Sequence, residues 1–116
     1  MIPHAGQYIA IPKGKGRYRL GVVVAVDKDE VAYRHVRTIP LSQEVHIAKL
    51  AHILPLRLAV MNVKLLLNTE VLVMNNGFWR KGLLLDRFPD SGLYEIKYRN
   101  GKTITARAKD VYHVLF

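Results

Sequence analysis

The chain is predicted to be all-β: two tandem copies of a small five-stranded barrel, docked as one unit. Two observations predict it. A turn of the form Gly, any residue, aromatic, Arg, any residue, Gly occurs twice, at Gly16-Arg17-Tyr18-Arg19-Leu20-Gly21 and at Gly77-Phe78-Trp79-Arg80-Lys81-Gly82. Around each turn run short β-branched and aromatic segments punctuated by Gly, Pro, Asn and Asp, which is the pattern of brief strands joined by tight turns.

The alignment extends on both sides of the turn. Upstream, Tyr8-Ile9-Ala10-Ile11 falls on Glu70-Val71-Leu72-Val73. Downstream, Val22-Val23-Val24 falls on Leu83-Leu84-Leu85, Val31-Ala32-Tyr33-Arg34 on Ile96-Lys97-Tyr98-Arg99, and Thr38-Ile39 on Thr103-Ile104. Ala48-Lys49 falls on Ala108-Lys109, and His52-Ile53-Leu54 on His113-Val114-Leu115. The insertions sit in turns, at Phe88–Gly92 and at Pro40–Glu44, as a duplicated fold requires.

The strands follow in order. Ile9–Ile11 ends at Pro12 and the glycines at 14 and 16. Leu20–Val26 is a continuous apolar run, expected to be buried on both sides. Asp27-Lys28-Asp29 is a turn, and Glu30–Arg37 is the next strand. In the second copy Val71–Met74 ends at Asn75-Asn76-Gly77, and Lys81–Phe88 pairs with Leu93–Arg99. Asn100-Gly101 turns the chain into Lys102–Ala106. Lys109-Asp110-Val111 is a single helical turn before a last strand, Tyr112–Leu115. Five such strands in under about sixty residues close a small barrel. The expected domains are residues 1–55 and 69–116. The stretch 56–68 is too apolar for a free linker and is expected to pack between the barrels, as strand or helix.

The second copy resembles the Tudor and plant Agenet family, whose fold is a Src-homology-3-type barrel. The resemblance rests on Glu70-Val71-Leu72-Val73, Gly77–Gly82, Leu93-Tyr94-Glu95-Ile96-Lys97-Tyr98 with Asn100-Gly101, and the closing Lys109-Asp110-Val111. The first copy is similar to a KOW element over Gly14–Asp27, a motif of transcription elongation and ribosomal proteins. Both resemblances imply recognition of nucleic acid or of peptide tails, including tails on chromatin.

Charge favours the nucleic acid. Eighteen Lys and Arg face nine Asp and Glu, a formal net charge of +9, the footprint of a phosphate-rich partner. Candidate nucleic-acid contacts are Lys13, Lys15, Arg17, Tyr18 and Arg19 in the first turn, and Trp79, Arg80 and Lys81 in the second. The strand ends Arg34, Arg37, Lys97, Arg99 and Lys102 would form one positive stripe if the copies dock with approximate symmetry. Cations release counterions from phosphate, and Tyr18 and Trp79 offer stacking faces. The Tudor resemblance implies a different use for aromatics, a cage of Phe78, Trp79, Phe88, Tyr94 and Tyr98 for a methylated cation. Tyr94, Ile96 and Tyr98 share one strand face, and that face could equally be the core. The cationic rim at Arg99 and Lys102 repels such a ligand and suits phosphate.

No catalytic set is present: no Gly-x-Ser-x-Gly elbow, no Walker loop, no paired carboxylates. The chain is therefore expected to be non-enzymatic, without cofactor or metal. The histidines lack metal-ligand spacing and are expected to be structural, with His52 and His113 as repeat equivalents. Cysteine is absent, which fits a reducing cytoplasm or nucleus. No secretory signal opens the sequence and no run spans a membrane. The expected partner is DNA or RNA, bound with low sequence specificity by a monomer or weak homodimer. The alternative is a protein-interaction module: a peptide or methylated-tail reader, or an adaptor on a nucleoprotein or viral assembly.

Overall fold

A computed structural model describes residues 2–36, 44–58, 67–75 and 78–115. The chain is all-β, with ten strands among these residues. It divides into two compact units, Met1–Leu56 with Leu115–Phe116, and Arg57–Val114. Residues 59–66, most of the expected connector, lie outside the described residues, as do Arg37, Thr38 and Ile39.

The first unit is built from β1 (Tyr8–Pro12), β2 (Arg17–Asp27), β3 (Glu30–His35), β4 (His46–Lys49) and the start of β5 (Leu54–Leu58), whose Arg57 and Leu58 belong to the second unit. The second repeats the plan with β6 (Glu70–Asn75), β7 (Phe78–Phe88), β8 (Leu93–Lys97), β9 (Thr103–Arg107) and β10 (Val111–Val114). The strand order is β4-β3-β2-β1-β5 in one and β9-β8-β7-β6-β10 in the other. A 3₁₀ turn precedes the last strand of each, at Leu50–His52 and Ala108–Asp110. The second is the helical turn expected from the sequence, placed one residue earlier. The fourth strand of the first copy, β4, had no counterpart in the sequence reading. Its pattern alternates between half-buried and exposed residues, too short a run to stand out.

The cross-strand register makes the duplication exact enough to correct the alignment. Val23 pairs with Tyr33 and Leu84 with Ile96, so Tyr33 corresponds to Ile96, two residues before Tyr98. Tyr94 corresponds to Val31, because Val26 pairs with Val31 and Arg87 with Tyr94. A slip of two residues keeps every side chain on its face, so alternation could not detect it, and the coincidence of two Tyr-Arg pairs rewarded it. His52 and His113 are not equivalents either. Pro55 pairs with Ile9 and His113 with Val71, so His113 matches Pro55, while His52 is exposed in the 3₁₀ turn.

With that register the two cores match position for position. Ile9, Ile11, Val23, Val31, Tyr33 and Ile53 form one; Val71, Val73, Leu84, Tyr94, Ile96 and Val111 form the other. The single tyrosine moves one inward position along the strand between copies, and a smaller aliphatic takes its place. The exchange itself changes the volume only as Ile differs from Val, which is the kind of exchange a packed interior tolerates.

Both long strands carry a bulge at the same place, between Val23 and Ala25 and between Leu84 and Asp86. A bulge bends its strand and lets a short meander curl round so small a core. The run Leu20–Val26 is not buried on both sides as expected. Leu20, Gly21 and Val23 are buried, but Val24 and Ala25 are exposed. A five-stranded unit has one interior, so much of the outer face remains at the surface.

Candidate nucleic-acid interface

A concavity of the second unit, about 490 Å³, is lined by Glu70, Lys81, Gly82, Leu83, Lys97, Tyr98 and Arg99. Register explains the grouping. Glu70, Leu83 and Lys97 lie in one cross-strand row over β6, β7 and β8. Lys81 is two residues before Leu83, so it shares that face. Beyond Lys97 the chain turns at Tyr98–Lys102. The Tyr98 N–H donates to the Lys102 carbonyl at 2.8 Å, and the Gly101 N–H to the Tyr98 carbonyl at 2.9 Å. Gly101 has φ 89°, a conformation that favours glycine.

Three cations thus meet around one hollow. Glu70 is the only acid in the lining, and its Oε1 sits 3.6 Å from Lys81 Nζ. No carboxylate lies within ion-pair distance of Lys97 or Arg99 among the described residues. Both side chains are exposed, and their positive field is open to a ligand.

The first unit offers a different geometry. Lys13 and Lys15 stand exposed on the β1–β2 turn, which closes with Lys13 N–H to Arg17 carbonyl at 2.9 Å and Arg17 N–H to Gly14 carbonyl at 3.0 Å. Gly14, Lys15 and Gly16 all have positive φ, so the glycines serve the turn itself. Arg17 and Tyr18 are half-buried, and Arg17 Nε is shielded from solvent. Arg19 is exposed and acts on the buried Tyr33 hydroxyl: burial raises that phenol's pKa and Arg19 partly offsets the rise. Arg34 is exposed on β3 opposite Val22.

The proposed cage residues do not converge. Tyr94 is fully buried in the core, and Tyr98 packs against that core. Phe78 and Phe88 occupy opposite ends of the eleven-residue β7. Trp79 is half-buried, its ring edge-on to Tyr112 with centroids 5.3 Å apart. Tyr94, Ile96 and Tyr98 share a face, and it is the core face. Arg80 is half-buried and Lys102 exposed; neither lines the hollow.

Of this lining the sequence marks Lys81, Lys97, Tyr98 and Arg99 as candidates and leaves Glu70 and Leu83 unmarked. The signal is present in part: the Asn100-Gly101 turn fixes the β8–β9 hairpin, but the β7–β8 register that brings Lys97 into the row of Glu70 and Leu83 depends on the bulge.

The Tyr33, His35 and His46 rings pack together, with centroids 4.6 Å apart for the two imidazoles. Among the described residues no three His, Cys, Asp or Glu side chains could hold an ion. His113 is buried, and its Nε2 has no hydrogen-bond partner among the described residues.

Solved structures share this architecture. The crystal structure of the AGD34 region of Arabidopsis thaliana AGDP1 is similar over 97% of this chain and 82% of its own, with TM-score 0.56 and 15% identity. The crystal structure of ADCP1 tandem Agenet domain 3-4 is similar over 97% of this chain and 79% of its own, with TM-score 0.55 and 15% identity. The chain has a tandem Agenet-like fold. No family model and no curated protein matches its sequence. At that identity the Agenet likeness is one of fold, and the chemistry must be read from this chain's own side chains. In the Agenet-like second unit those are a cationic hollow and a tyrosine that faces inward. Among the described residues no helix is long and apolar enough to cross a membrane.

Proposed function

We propose that the protein is a non-enzymatic nucleic-acid-binding module that grips the phosphate backbone and reads little sequence. The observation that carries this reading is the hollow over β6, β7 and β8, where Lys81, Lys97 and Arg99 surround one already paired carboxylate. A cation cluster of this kind suits phosphate oxygens and releases their counterions. Lys13 and Lys15 add a second, exposed contact in the first unit. Trp79 leans on Tyr112, so phosphate contacts lead and base stacking is secondary.

The test is a salt titration of binding to single- and double-stranded DNA and RNA. Binding is expected at low salt and weakens as salt rises. Lys97→Glu/Arg99→Glu is expected to weaken every nucleic acid alike. Undetectable binding at low salt, or binding indifferent to salt, overturns the proposal.

The tandem Agenet-like fold favours a second reading, a protein-interaction module for peptides or for a larger assembly. It predicts binding to a peptide that survives high salt and is unchanged by the Lys97→Glu/Arg99→Glu pair.

A further inference from the structure

The repeat supplies its own control for what an outer sheet face looks like when water covers it. In the second unit Asp86, Glu95 and Thr105 lie in one cross-strand row over β7, β8 and β9. The equivalent row of the first unit, over β2, β3 and β4, is Ala25, Ala32 and Ile47. Every polar residue of one copy is aliphatic in the other. Ile47 ends that row and is 67% exposed, with Val45 beside it at 44%. Val24 and Val36 are exposed as well.

The strand that carries Ile47 is also an edge. β4 pairs with β3 alone among the described strands, and its outer N–H and C=O groups are a template for another strand. β9 is the equivalent edge and is guarded by charge. Residues 102–109 include Lys102, Arg107 and Lys109 and no acid. Residues 44–50 hold one Glu and one Lys and sum to zero.

We propose that β4 is a self-association edge, and that its occupant is β4 of a second copy of this chain, paired antiparallel about Ile47. Two copies at +9 each repel, so they can meet only where the surface is charge-poor, and β4 is such a place. Antiparallel alignment about Ile47 sets Val45 opposite Lys49. Glu44 lies 3.9 Å from His46 Nε2 and Lys49 Nζ 3.4 Å from Asp29 Oδ2 within the chain; the alignment sets the Glu44 end of one strand beside the Lys49 end of the other, so opposite rather than like charges meet at both ends. The same alignment of β9 would set Lys102 beside Arg107. The Ala25–Ala32–Ile47 row would continue through Ile47 of the partner subunit into a second such row, giving the apolar row a shared use. This inference does not rest on nucleic-acid binding.

Sedimentation velocity over a concentration series, without nucleic acid, tests it. The wild type is expected to dimerise reversibly. Ile47→Thr, which installs the residue type found at Thr105, is expected to weaken dimerisation about tenfold or more. At a concentration low enough for both proteins to be monomeric its melting temperature should hold, since Ile47 is exposed in the single chain. Glu44→Lys should weaken the dimer, and Glu44→Lys/Lys49→Glu should restore it. A wild type monomeric at every concentration overturns the proposal, and so does a dimer indifferent to Ile47→Thr or to both charge variants.

Discussion

A Cβ placed on Gly82 would lie 2.5 Å from Ile96 Cγ2 and 3.1 Å from the Lys97 carbonyl oxygen. Gly21 occupies the same place in the first unit, where a Cβ would meet Ile11 Cδ1 at 2.7 Å and Tyr33 Cδ2 at 3.1 Å. These are the closing glycines of the repeated turn motif. Their role is close approach of the long strand to its neighbours rather than backbone freedom.

The two sites differ in how far the neighbour can yield. Ile11 Cδ1 is the free end of a flexible side chain, whereas Ile96 Cγ2 branches directly from Cβ and is stiff. Gly82→Ala is therefore expected to destabilise by about 1–3 kcal/mol, and Gly21→Ala by less. Urea unfolding of the two variants checks the order.

Tyr94 should gain from losing its hydroxyl. The ring is fully buried and its Oη has no hydrogen-bond partner among the described residues. Burial raises the phenol's pKa, with Arg87 partly opposing. Tyr94→Phe keeps the packing and removes an unsatisfied polar atom, so stability is expected to rise by about 1 kcal/mol. A thermal melt that falls instead would mean that the hydroxyl has a partner in the folded chain.

His113 makes the fold sensitive to acid. Burial, with a smaller push from Arg57, lowers its pKa below the ordinary 6.5. Above about pH 6.5 the imidazole is neutral in both folded and unfolded chains, and the fold has its full stability. Below that, the unfolded chain takes up a proton that the folded chain refuses, so stability falls until the folded imidazole titrates too. His113→Gln is expected to flatten the loss between pH 7 and the onset of carboxylate titration. Melting temperatures of both proteins across that range are the measurement.

Nucleic-acid affinity should divide between the two basic clusters in a countable way. Each phosphate contact contributes about 0.9 to the slope of log affinity against log salt on duplex DNA. Lys97→Ala and Arg99→Ala are each expected to reduce the slope by about one. Lys13→Ala/Lys15→Ala is expected to reduce it by a further, separable amount. An unchanged slope in all of these variants would place the contacts elsewhere.

The sequence made much of this legible. Gly16–Gly21 and Gly77–Gly82 marked the repeat, and β1 and β6 aligned as the structure has them. The failures share one cause. Matching Tyr33 to Tyr98, and His52 to His113, fails because past the bulge the alignment rests on residue identity alone. A tyrosine that shifts two places stays on the inner face and leaves no trace in the alternation. Glu70 was overlooked for a similar reason: a carboxylate at a strand start looks solvated until register sets it over a lysine.

The sequence by itself determined the class of the fold, its duplication and its excess of positive charge, because these follow from local spacing and composition. Only the tertiary structure decided which cations share a hollow, which aromatics face inward, and which copy bares an apolar edge. Those depend on pairing between strands distant in the chain, where a bulge or a two-residue slip changes every neighbour and leaves the local pattern intact.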